Sequence, residues 1–147
     1  MISFETLNVE MTLPDIDKIK IWLNETATTH DRKIGNLNYL FCDDEEILRV
    51  NRQFLDHDYF TDIITFDYSF KNRVSGDVYI SLDTVKSNSE ELGVSYESEL
   101  LRVLVHGLLH LCGIDDKGEG EREIMEQHEN RALEIWDNLK ITTGTSN

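Results

Sequence analysis

The stretch from Val105 to Glu121, VHGLLHLCGIDDKGEGE, sets two histidines four residues apart in an apolar run, then a glycine, two aspartates and an acidic segment. From Glu99 to Cys112 the run ELLRVLVHGLLHLC is nearly all apolar, which predicts a central helix buried on several sides. Residues four apart share one helix face, about 6 Å apart along the axis. His106 and His110 can therefore grip one ion. Gly113 can take the left-handed geometry that ends a helix. The following IDDK then brings Asp115 or Asp116 back towards the pair.

The pattern H-x-x-x-H-x-x-G-x-x-D, from His106 to Asp116, is a three-ligand clip. Two neutral nitrogens and one carboxylate suit zinc, one ion per chain, with a position left open for water. Nickel or another divalent ion is compatible with the same donors. H-x-x-x-H alone is better read as two hydrogen-bonded core histidines; the glycine and aspartate that follow turn the reading towards metal. Gly107 stands where the H-E-x-x-H metalloproteases place a glutamate base, so a peptidase of that type would lack its base.

Working outward, ISFETLNV reads as a first strand, and Pro14 opens a helix with an apolar stripe of Ile16, Ile19, Ile21, Trp22 and Leu23 to about Thr28. GNLNYLFC is a second strand. Asp43 or Asp44 caps the helix DDEEILRVNRQFL. TDIITFDYSF and GDVYISL are two further strands, joined by a short polar turn and predicted to pair antiparallel. Asp83 caps a helix to about Leu92, Ser95 caps the histidine helix, and a last helix runs from about Gly118 to Leu139. The expectation is an α+β, zincin-like fold: one four-stranded mixed sheet, about five helices, and a single domain over residues 1–140. ITTGTSN reads as a disordered tail.

The 147 residues contain no apolar run of the roughly 18 a membrane helix needs, and the first residues do not resemble a signal peptide, so the expected location is cytoplasmic, without a membrane partner. Cys42 and Cys112 are too few for a disulfide framework and are expected reduced and buried. The net charge of -15 should repel nucleic acid unless basic residues gather locally or a metal supplies positive charge.

HGLLHLCGIDD, with TDIITF and GDVYIS upstream in that order, resembles the YbeY family of endoribonucleases, implicated in ribosomal RNA maturation. The resemblance spans roughly Asp43 to Arg131. It implies that His106 and His110 are metal ligands and that Gly113 and Asp115 match the family's glycine and aspartate. The third-ligand position falls on Asp116, where most members have histidine. Glu121 and Met125 fall where the family has glutamate and methionine, and Asp77 matches its G-D, although an aspartate after glycine commonly caps a turn. The family's L-N-x-x-[YF]-R-x-x-D-x-x-T-[DN]-V-L-S-F is matched by Asn51, Phe54, Asp58, Thr61, Asp62 and Phe66, with Leu55 in place of the arginine. Arg52, His57 and Arg73 are the candidate phosphate-binding substitutes, with Arg49 a turn further off. His30 and His128 carry no motif and read as surface residues.

The resemblance implies a metal-dependent endoribonuclease cutting single-stranded ribosomal RNA precursors. The attacking group would be a metal-bound water or a 2′-hydroxyl, and no side chain is assigned as base. The negative charge implies weak, salt-sensitive RNA contact, with targeting left to ribosomal or assembly proteins. Two other readings compete: a peptidase or amidase, favoured by the acidic surface, and a non-catalytic ribosome-assembly factor with a structural metal.

Overall fold

The computed structural model of the protein describes residues 1–11, 13–55, 62–114 and 118–139, and of residue 55 the backbone alone. The β-branched and aromatic runs form four strands: β1 (Ile2–Thr6), β2 (Lys33–Cys42), β3 (Ile63–Asp67) and β4 (Arg73–Ser81). Between and after them lie α1 (Ile16–Thr29), α2 (Asp44–Leu55), α3 (Leu82–Leu92), α4 (Tyr96–Leu111) and α5 (Glu121–Asn138). The strands lie in the order β1-β2-β4-β3. β1 and β4 both run parallel to β2, and β3 closes the edge antiparallel to β4, with Thr65 opposite Val78. Parallel neighbours need long crossovers, which α1 and the α2–β3 segment provide. The mixed α+β sheet with five helices matches the expectation from sequence.

Alternation along the strands divides the core. On one face Leu37, Tyr39, Phe41, Val74, Val78 and Ile80 are buried with Trp22, Leu104 and Leu108 of α1 and α4. On the other, Cys42 and Ile64 are buried with Ile47 and Val50 of α2. α5 packs on α4 and α1 rather than on the sheet. Two buried hydrogen bonds tie these layers: Tyr39 Oη donates to the Leu104 carbonyl (2.7 Å), and Trp22 Nε1 donates to the Ala132 carbonyl (2.6 Å). A ring or indole buried without a partner for its polar atom would cost about 1–3 kcal/mol, so both contacts also fix helix position.

Several ends differ from expectation. Asp15, not Pro14, opens α1: its carboxylate accepts from the Lys18 amide, which Pro cannot rival as a cap. On α1 the buried set is Ile19, Trp22, Leu23, Thr26 and Ala27, a stripe at helical spacing, while Ile16 and Ile21 fall off it and are exposed. Ser81 caps α3; Asp83 instead accepts from the Asp44 amide of α2. Asp43 is the cap of α2, accepting from the Glu46 amide. Asp77 caps no turn. It lies within β4, where Asn38 Nδ2 donates to it at 3.0 Å. The segment ITTGTSN, expected to be a disordered tail, lies outside the described residues. Cys42 and Cys112 are free and buried, and burial pushes their thiols up to about 12 and about 11.

Candidate active site

Helix α4 begins at Ser95, whose hydroxyl accepts from the Ser98 amide at 3.0 Å. From Glu99 onward its residues are buried, except Arg102, His106 and His110, which are half-exposed. Those three stand four apart, so they form one stripe along the helix. The rings of His106 and His110 lie 4.9 Å apart between centroids, inclined at 74°. Gly113, at φ 97, follows the helix and turns the chain out of it, as its missing side chain permits.

The stripe is held from behind by α5. His106 Nδ1 donates to Glu129 Oε2 at 2.6 Å, and Arg102 Nη1 donates to Glu129 Oε1 at 2.8 Å. Arg102 Nη2 reaches Asn130 Oδ1 at 2.9 Å. A carboxylate paired with a guanidinium is ionised and only accepts hydrogen bonds. A neutral His106 that donates to it therefore carries its proton on Nδ1. This is the carboxylate–histidine arrangement that orients metal-binding imidazoles and raises their basicity. Glu129 was not singled out from sequence. The signal available was its position on the inward stripe of the last helix, one turn beyond buried Met125. A carboxylate on such a stripe needs a partner.

Gly107 explains the missing glutamate. A Cβ there would lie 2.9 Å from Val78 Cγ1 and 3.2 Å from Ile63 Cδ1, so a side chain at this position would have to displace both. A glutamate base of the H-E-x-x-H kind would have to push Val78 and Ile63 aside.

The donors fit a divalent ion in chemistry: two imidazoles on one face, one of them fixed in the metal-binding tautomer. Among the described residues no group of three histidine, cysteine, aspartate or glutamate side chains converges on a point. Asp115 and Asp116 lie outside the described residues, as do His57, Asp58 and Thr61. Of the remaining candidates, Arg73 is exposed at the start of β4, and Arg52 lines a surface cavity of about 500 Å³ with Asp43, Glu45 and Glu46, an acidic setting for a phosphate contact. Arg49 is held by Glu46 at 2.6 Å. Glu121 is spent locally, accepting from the Gly118 amide at 2.7 Å. His30 and His128 are not separate surface residues: their rings meet at 4.9 Å, half-buried between the end of α1 and α5. Burial, then the neighbouring His128, lowers the pKa of His30.

Fold and site together define an α+β protein that presents a carboxylate-backed histidine pair from its central helix. The profile of the family described as Endoribonuclease YbeY matches residues 2–137. The chain is 57% identical over 134 residues to an Endoribonuclease YbeY of Bacteroides fragilis, covering 90% of this chain and 95% of that one. It is 56% identical to that of Phocaeicola vulgatus (92% and 98% covered) and 38% identical to that of Flavobacterium johnsoniae (92% and 97%). The solution structure of TM1509 from Thermotoga maritima superposes with a TM-score of 0.65 at 27% identity, covering 93% of this chain and 92% of that one. The chain belongs to the YbeY endoribonuclease family, a family of RNA-cleaving hydrolases.

Proposed function

We propose that this protein is a metal-dependent endoribonuclease that cuts single-stranded RNA during ribosomal RNA maturation in the cytoplasm. The observation that carries the proposal is the hydrogen bond from His106 Nδ1 to Glu129, which orients the imidazole beside that of His110. His106, His110 and Asp116 would hold one divalent ion, zinc by the preference of its donors. A bound ion supplies Lewis acidity towards a phosphoryl oxygen and lowers the pKa of water.

The chain's own side chains do the rest. Glu129 keeps the His106 proton on Nδ1, and Arg102 holds Glu129 in place. Arg73, with Arg52 and His57, supplies cationic or donor contacts to phosphate in the absence of the family's arginine. Targeting to the ribosomal substrate falls to a ribosomal or assembly protein, because the overall charge of -15 opposes RNA at long range. No helix among the described residues is long and apolar enough to cross a membrane.

The test incubates the protein with a short single-stranded RNA and, separately, a casein peptide, with and without chelator. Metal-dependent RNA cleavage is expected, with the peptide left whole. His106→Ala should lower cleavage by at least about a hundredfold, beyond what loss of a ligand's supporting hydrogen bond usually costs. RNA cleavage that survives His106→Ala sinks the proposal.

A further inference from the structure

Fourteen basic residues face 29 acidic ones in this chain, and several are neutralised where they stand, Arg49 by Glu46 and Arg102 by Glu129. Four gather at one end of the sheet. Lys33 and Arg73 are register partners across β2 and β4. The Lys33 amide donates to the Asn72 carbonyl at 2.9 Å, and Arg32 Nη1 reaches the Lys71 carbonyl at 3.4 Å. Among the described residues none of Arg32, Lys33, Lys71 and Arg73 forms an ion pair.

Two aromatic rings stand with them. Phe70 is 72% exposed and Tyr68 61% exposed, far more than any other phenylalanine or tyrosine on the described surface except Phe54. Lys71 Nζ lies 5.4 Å from the Phe70 ring centroid. Phe70 and Arg73 exchange two backbone hydrogen bonds of 3.0 Å, so the hairpin closes over Lys71 and Asn72 and holds the ring and both cations on a short, fixed turn. Asp31, Asp67 and Asp77 are the acidic neighbours: Asp67 is occupied by the Ser69 amide at 2.8 Å, and Asp77 accepts from Asn38 Nδ2 at 3.0 Å and from Tyr68 Oη at 3.4 Å.

The hairpin lies at the end of the sheet where α4 finishes. A Cβ on Gly76 would meet the Leu111 side chain at 3.1 Å, and one on Gly113 would lie 3.8 Å from Arg32 Nη2. Val78, beneath Gly107, is five strand residues from Arg73, about 17 Å. A binding site of about four nucleotides or more spans that interval.

We infer that the β3–β4 hairpin, with Arg32 and Lys33 beside it, is a docking platform for single-stranded RNA, stacking bases on Phe70 and Tyr68 and holding phosphates with the four cations. The inference rests on RNA being the substrate of the histidine site. Exposed rings accept the face of an unstacked base, which a duplex hides. Four unpaired cations at one edge answer the local-gathering condition that the net charge imposes.

The experiment titrates full-length protein in chelator against a fluorescent dodecamer of uridine and reads anisotropy at several salt concentrations. Phe70→Ala should weaken binding about fivefold or more, and Phe70→Tyr should restore it. Lys71→Ala with Arg73→Ala should flatten the dependence of log affinity on log salt by about 1.4. Lys86→Ala with Arg122→Ala, which removes equal charge elsewhere, should leave the slope as it is. Circular dichroism checks that each variant folds. Binding that Phe70→Ala and the double variant leave unchanged, or that the control pair weakens equally, overturns the inference. So does hairpin-dependent binding of oligoglutamate in place of RNA, which would make the occupant an acidic protein segment. Wild-type cleavage with added divalent ions is read separately. RNA held by the hairpin but never cut overturns the proposed activity alone; RNA cut with hairpin-independent affinity overturns the platform alone.

Discussion

The two oxygens of Glu129 are taken by different partners, Arg102 and His106, at 2.8 and 2.6 Å. Glutamine in its place keeps the shape and one acceptor but loses the charge that fixes the His106 tautomer. Glu129→Gln is therefore expected to lower divalent-ion affinity by about 10–100-fold with the fold retained. Titration calorimetry of the metal, beside a thermal melt of the apoprotein, measures the two effects apart; an unchanged metal affinity would refute the role given to Glu129. Gly107 is under a different constraint. A methyl group added there must displace Val78 Cγ1 from 2.9 Å and Ile63 Cδ1 from 3.2 Å. Overpacking of this kind costs about 1–3 kcal/mol. Urea unfolding should show that loss for Gly107→Ala, and a smaller one in a Val78→Ala background, where space has been made. Equal losses in both backgrounds would mean that the neighbours yield and the close approach is not what demands glycine.

At the scale of the element, α4 carries its polar side chains on one stripe, and Glu99 lies buried one turn before Arg102. Burial, above all, raises the Glu99 pKa, with Asp62 and Glu129 raising it further and Arg102 opposing them. A carboxyl whose folded pKa exceeds its unfolded value favours the fold at low pH and loses that contribution as pH climbs through the folded pKa. Glu99→Gln should thus melt higher than wild type near about pH 7, and the gap should close below about pH 4, where both forms are neutral. A gap that widens on acidification contradicts the sign. This helix also marks what a sequence makes legible. The spacing of His106 and His110 and the stop at Gly113 follow from helical geometry within one segment, and both stand in the structure. The antiparallel hairpin of β3 and β4 was readable for the same reason, its partners being close in the chain. Glu129 was not, because its pairing with His106 joins residues 23 apart on two helices, and only packing decides which carboxylate arrives. Ser81 displaced Asp83 as a cap because Asp83 is drawn to the α2 amide at Asp44, again a contact no local pattern encodes.

For the whole molecule, the net charge of -15 acts on folding and on RNA binding through the same field. Self-repulsion destabilises a compact state, and salt relieves it: the screening length falls from about 30 Å at about 0.01 M to about 8 Å at about 0.15 M. Exposed ion pairs contribute little that salt could remove, since the median surface pair is worth about 0–1 kcal/mol. Arg49–Glu46, with the Arg49 side chain 55% exposed, is such a pair. RNA held by the basic hairpin responds in the opposite direction, because each phosphate contact releases counterions that added salt drives back. Raising sodium chloride across that range should therefore raise Tm, by about 2–4 °C for each kcal/mol of repulsion relieved, while RNA affinity falls. Calorimetric melts and anisotropy titrations in the same buffers compare the two. A Tm that drops with salt would place the dominant electrostatics in the ion pairs, Arg102–Glu129 foremost, rather than in the acidic surface. Opposed slopes would instead mean that a chain acidic enough to repel its own fold still attracts RNA through local charge, as the four cations at the hairpin edge, without an ion pair among the described residues, require.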